Sequence, residues 1–153
     1  MRGSIDDVIQ GLQDYKKQLT VKADALLKAL ADAGAGAAQI SFAGTGYMGN
    51  DDVDVSVVQR GPLSYAIEAN GEAVLFLEFG AGVTMGGGHE NPMGYGPGTY
   101  PGKGHWDDPN GWWLPRSAGG GHTYGNAPSM AMYHTGKSLH AVVAQAAREV
   151  FGS

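Results

Sequence analysis

A chain of 153 residues with a formal charge of −5 and no cysteine is sized for one domain with a real core and is too short to expect two. Without cysteine there is no disulfide framework, thiolate metal site or cysteine nucleophile, and ten Lys and Arg scattered from Arg2 to Arg148 form no phosphate-binding face. No apolar run approaches the roughly 20 residues of a membrane span, and the amino terminus lacks a signal-peptide pattern, so the expectation is a soluble protein with no cofactor, no membrane contact and no specific nucleic-acid binding.

Ile5, Val8, Ile9, Leu12, Leu19, Ala23, Leu26, Leu27 and Leu30 recur at steps of three and four, broken only around Tyr15 to Lys17, with charged and amide residues between them. The spacing predicts an amphipathic helix over residues 1–34. Ser4 is placed to cap it, Asp6 and Asp7 suit its first turn, and Gly34 is suited to end it. A rod of about 30 residues is roughly 45 Å long. Either part of it overhangs the body, packing on another chain, or bends near Thr20-Val21, or it is two shorter helices wrapped round one core.

A short strand is expected at Gln39–Ala43, followed by a turn through Gly44–Asp52. Val53, Val55 and Val57 alternate with Asp54 and Ser56 as a half-buried strand that Gly61-Pro62 ends. Ser64–Ala69 alternates again, and Asn70-Gly71 suits a tight hairpin turn. It leads into Ala73-Val-Leu-Phe-Leu-Glu-Phe-Gly-Ala-Gly82, read as the central strand, with Ala73, Leu75, Leu77 and Phe79 on one face and Glu72, Val74, Phe76 and Glu78 on the other. These readings give a single α+β domain over 1–153. A small antiparallel β-sheet of three to four strands, a meander over 39–79, is packed by the long N-terminal helix and a C-terminal helix.

Residues 80–125 hold 15 of the 26 glycines and all three tryptophans, and show no periodicity. So long an insertion is functional or disordered, and its aromatic residues, Tyr95, Tyr100, Trp106, Trp112, Trp113 and Tyr124, separate it from a plain linker. Order on assembly is expected. From Pro128, a broad apolar face of Met130, Tyr133, Leu139, Val142, Val143, Ala146, Val150 and Phe151 predicts a helix over 128–151, with Gly136 marking a kink or break.

Chemistry-bearing groups are few. His89, His105 and His122, with Glu90, Asp107 or Asp108, have the donor types of a metal site. They lack helical ligand spacing, and solvated or interface histidines are the plainer reading. Gly98–Gly104 superficially resembles a phosphate-binding loop, but it has neither the required first glycine nor a Ser or Thr after Lys103. No Gly-x-Ser-x-Gly elbow is present. Glu78, beside Phe76 and Phe79, is either a carboxyl with a raised pKa or a solvated or salt-bridged rim residue.

The order of these pieces resembles the head-to-tail connector or tail-completion (neck) family of long-tailed phages and prophages. The likeness rests on Leu77-Glu78-Phe79-Gly80, on Thr123-Tyr-Gly-Asn-Ala-Pro-Ser-Met130, and on the last helix ending Arg148-Glu-Val-Phe151. Ala81 and Ser129 depart from the Thr and the aromatic residue found at those places in the family. The resemblance implies a non-enzymatic structural virion protein at the head-to-tail junction, made in the bacterial cytoplasm. It would form a ring with copies of itself, between head-closure or adaptor and tail-terminator or tail-tube proteins, with DNA passing through a channel. On that reading Trp106, Trp112, Trp113, Tyr95, Tyr100, Phe76 and Glu78 are interface residues, and deleting residues 86–121 leaves a folded monomer unable to complete particles. Two rivals come from other classes. One is a metal-dependent hydrolase using the loop histidines, the other a peptide- or ligand-binding module using the aromatic loop.

Overall fold

The computed structural model describes residues 4–45, 52–82, 108–116 and 119–151. Helix α1 runs without interruption over Ile5–Gly44, 40 residues, which is about 60 Å of rise. Its start is as expected from the sequence. The Ser4 hydroxyl accepts the Asp7 amide at 3.2 Å while the Asp7 carboxylate accepts the Ser4 amide at 2.8 Å, a reciprocal capping box that satisfies two otherwise orphaned donors. Its end is not. The helix neither stops at Gly34 nor divides into two, and the strand expected at Gln39–Ala43 is its last turns.

The reason lies in packing. Ala31, Gly34, Ala35, Ala38 and Phe42 form the buried seam of α1. Alanine is the strongest helix former, so the alanines around it offset the roughly 1 kcal/mol that Gly34 costs. A Cβ on Gly34 would lie 2.6 Å from Ile67 Cδ1 and 2.8 Å from Leu139 Cδ1. The glycine is there because two other elements approach that closely.

Strands β1 (Asp54–Gly61) and β2 (Ser64–Asn70) pair antiparallel, from Asp54 opposite Asn70 to Gln59 opposite Tyr65, with an irregularity between Gln59 and Gly61. The turn passes through Leu63 at φ 55°. Gln39 ties this hairpin to α1, its side-chain nitrogen donating to the Val53 carbonyl at 2.9 Å and its oxygen accepting the Val55 amide at 2.8 Å. The amide thus serves the strand end as a neighbouring backbone would.

The central strand expected at Ala73–Gly82 is instead a short helix, α2 (Val74–Phe79), so Asn70-Gly71 makes no second hairpin. The apolar run Ala73–Leu77, followed by Glu78 and Phe79, fits a buried strand and a buried helix equally well by pattern. The helix puts Ala73 and Leu77, four apart, on one buried face. The Asp52 carboxylate takes the Glu72 and Ala73 amides at 2.8 and 3.3 Å just before α2 begins, and Gly80, at φ 79°, ends it. The meander of three to four strands is thereby corrected to two separate two-stranded sheets. The second is the ribbon of β3 (Trp112–Trp113) and β4 (His122–Thr123), within the stretch expected to lack regular structure.

Helix α3 (Ala131–Phe151) is continuous through Gly136, so the chain does not break there. It lies along α1. The core gathers Phe42, Val53, Ala73, Leu77 and Ala131, with Val55, Ala69, Val74 and Met132 packed against it. It therefore sits where the C-terminal end of α1, the start of β1, α2 and the first turn of α3 converge. Phe42 and Leu77 are fully buried, each worth about 1.5–3 kcal/mol relative to exposure. The fold is α+β, with a long N-terminal helix, a C-terminal helix and small antiparallel sheets.

Candidate functional site

Two segments that are separate in sequence, 76–82 and 123–133, meet at one junction. Ala81 and Asn126 exchange backbone hydrogen bonds at 2.9 Å each, Ser129 N–H donates to the Leu77 carbonyl at 2.7 Å, and Met130 N–H donates to the Glu78 carbonyl at 3.0 Å. The Asn126 side-chain nitrogen reaches the Phe76 carbonyl at 2.8 Å. The approach is too close for side chains at two positions. A Cβ on Gly82 would sit 2.0 Å from the Tyr124 carbonyl oxygen, and one on Gly125 1.8 Å from that of Ala81, both at positive φ.

Glu78 is the centre of this junction. It is only 5% exposed, and its two carboxylate oxygens accept the Met132 amide at 2.9 Å and the Tyr133 amide at 3.0 Å. The first turn of a helix leaves N–H groups without intrahelical partners and carries the positive end of the helix dipole. Glu78 thus caps α3 from another element. The solvated or salt-bridged rim residue expected from the sequence is replaced by a buried structural cap, which directs both oxygens to backbone amides of the chain itself.

The second feature is the first half of α1. Every residue from Ser4 to Lys22 is exposed, and burial begins at Ala23. Eighteen residues of helix, about 27 Å, therefore project beyond the body. Their apolar stripe is uncovered, with Ile5 80%, Val8 60%, Leu12 64% and Tyr15 60% exposed. A stripe of that size on a helix is normally buried against a partner.

The third is the ribbon. Trp112 is half-buried opposite Thr123, whereas Trp113 is 75% exposed and lies edge-on to His122, ring centres 5.3 Å apart. His122 in turn lies edge-on to Tyr124 at 5.0 Å. Gly111, at φ 74°, gives these rings room, since its Cβ would fall 2.7 Å from His122 Cε1 and 3.1 Å from Tyr124 Cδ1. The outer face is an aromatic row suited to anchoring a protein surface.

Of the residues singled out in the sequence, Glu78 and Phe76 lie at the junction, while Trp112, Trp113 and His122 lie on the ribbon. Asp108 turns the chain before β3 by accepting the Asn110 amide at 2.8 Å. Tyr95, Tyr100, Trp106, His89, His105, Glu90 and Asp107 lie outside the described residues. Among the described residues, no three His, Asp or Glu side chains group as metal ligands, and no helix is long and apolar enough to cross a membrane. Sequence reading missed Gln39, Asp52 and Asn126, whose side chains bond backbone groups that folding brings to them.

An apolar cleft of about 260 Å³ opens between α1, β2 and α3, lined by Leu27, Leu30, Tyr65, Ile67, Leu139 and Val143. At its edge the Tyr65 hydroxyl donates to the Asp24 carboxylate at 3.0 Å. Partial burial, together with that carboxylate, pushes the phenol above its usual range. His140 lines the same cleft. No protein-family model, curated protein or solved structure matches this chain.

Proposed function

We propose that the chain is a structural virion protein of the neck of long-tailed phages, a non-enzymatic connector or tail-completion protein. It sits at the head-to-tail junction and joins head and tail as a ring of identical copies. Its neighbours on this reading are head-closure or adaptor proteins on one side and tail-terminator or tail-tube proteins on the other. The net negative charge lets DNA pass without adsorbing, because like charge disfavours contact.

The observation that carries this reading is the α1 overhang. A chain of 153 residues spends 18 of them on a helix that covers none of its own core and still keeps an apolar stripe. Leaving such a stripe in water is unfavourable by roughly 25 cal/mol per Å² of apolar surface, so its use is contact with another protein. The exposed aromatic row of the ribbon adds a second surface, and two distinct contact surfaces are what a head-to-tail ring requires.

The test replaces Leu12 and Leu19 together with Asp in the phage or prophage carrying the gene. Both side chains are exposed and lie outside the core, so the purified variant should still unfold cooperatively as a folded domain by circular dichroism, while particles fail to join heads to tails. Normal infectious particles would refute the assignment. The loop test needs narrower bounds than 86–121, because that deletion removes β3 and the buried Leu114. Deleting 86–106 spares both.

A further inference from the structure

We infer that the free protein pairs with a second copy of itself through the α1 overhang, the two helices lying antiparallel. Resting on the assembly role proposed for that face, this pairing names its first partner. Three observations point to it.

The first is spacing. Ile5, Leu12 and Leu19 stand seven apart, and Val8 and Tyr15 fall between them at the complementary step, all exposed. A repeat of seven alternating three and four is the seam of a two-helix coiled coil, where residues interdigitate with a facing helix. The second is charge. From Ser4 to Tyr15 the charged residues are Asp6, Asp7 and Asp14, all acidic, whereas from Lys16 to Lys22 they are Lys16, Lys17 and Lys22, all basic. Parallel copies would set acid beside acid and base beside base. Antiparallel copies set the acidic half of each along the basic half of the other, which favours pairing and fixes its direction.

The third is length. When Leu12 packs beside Tyr15 of the second copy and Val8 beside its Leu19, the start of each helix falls level with Ala23 of the other, where burial in the body begins. The overhangs are used end to end and the two bodies sit at opposite ends of the pair. The contact is isologous and closes at two. Before assembly it covers the apolar stripe without open-ended polymerisation, and ring formation exchanges it for neck contacts.

The chain has no cysteine, so single introduced cysteines report the register. Full-length Val8→Cys and Leu19→Cys proteins are oxidised separately and as a mixture. The two positions on one helix are about 16 Å apart, too far for an internal bond. The mixture should give disulfide-linked dimer at least about tenfold faster than either variant alone. Light scattering after size exclusion on the unmodified protein should show the mass rising with concentration from 15.9 kDa toward twice that value, and falling back as salt is raised. Cross-linking of either variant by itself as fast as the mixture would overturn the antiparallel arrangement. A monomer at every concentration would overturn the pairing altogether. The assembly role fails separately, through complete particles from the Leu12→Asp, Leu19→Asp variant, an outcome that leaves a cross-linked dimer standing.

Discussion

Replacing Glu78 with Ala tests the claim that one side chain joins α2 to α3. The carboxylate accepts two backbone amides of the first turn of α3 at 2.9 and 3.0 Å in a site only 5% exposed. Alanine removes both bonds and leaves two donors without partners. An unsatisfied buried donor costs about 1–3 kcal/mol, and loss of a conventional helix cap about 0.5–2 kcal/mol. Water admitted through the cavity recovers part of this, so the net loss should be about 3–4 kcal/mol. For a chain of this size that lowers the melting temperature by roughly 10 °C. Gln keeps one acceptor and presents an NH₂ to the other amide, so Glu78→Gln should lose about 1–2 kcal/mol. Urea unfolding followed by circular dichroism gives the free energies, and hydrogen exchange at the Met132 and Tyr133 amides locates the effect. A Glu78→Ala variant within 0.5 kcal/mol of the parent, or with those two amides as protected as before, would refute the cap.

Gly36 lies exposed within α1, and a Cβ added there would meet nothing within 4 Å, so Gly36→Ala should stabilise by about 0.5–1 kcal/mol, whereas Gly34→Leu forces apart α1, β2 and α3 and should cost about 1–3 kcal/mol or more. Equal effects at the two glycines in thermal melts would contradict the packing seam. Asp52 is held below the usual carboxylate range, chiefly by the hydrogen bond from the Glu72 amide. Because its folded-state pKa is depressed, its contribution is present above the ordinary aspartate value of about 4 and is lost as pH falls through the folded one. The stability difference between the parent and Asp52→Asn should therefore shrink as urea unfolding is repeated from pH 6 to pH 2, and a constant difference would refute the assignment.

Local pattern was a good guide wherever neighbours along the chain decide the structure. The capping box at Ser4 and Asp7, the alternation of Val53, Val55 and Val57 and the apolar face of α3 all use partners within a few residues. Ala73–Gly82 has the apolar run of a strand, which carries no period of its own, and only the fit of Leu77 into the core and of Glu78 against α3 favours the helix. Gly34 has the residue type of a helix end, and its real role is visible only when Ile67 and Leu139 are placed against it. The ribbon of β3 and β4 is two residues per strand, too short to leave an alternation in the sequence.

The sequence by itself determined the α+β class, the capped amphipathic N-terminal helix, the first hairpin and the C-terminal helix, because propensity, capping and periodicity act over one or two turns. It also carried the apolar stripe and the segregated charge of α1. Tertiary structure alone decided that the stripe is left uncovered, that α1 runs past its glycines, and that Glu78 is a buried cap. Each of these depends on which distant surface arrives at a given residue, and that is a property of the assembled fold that no stretch of chain encodes locally.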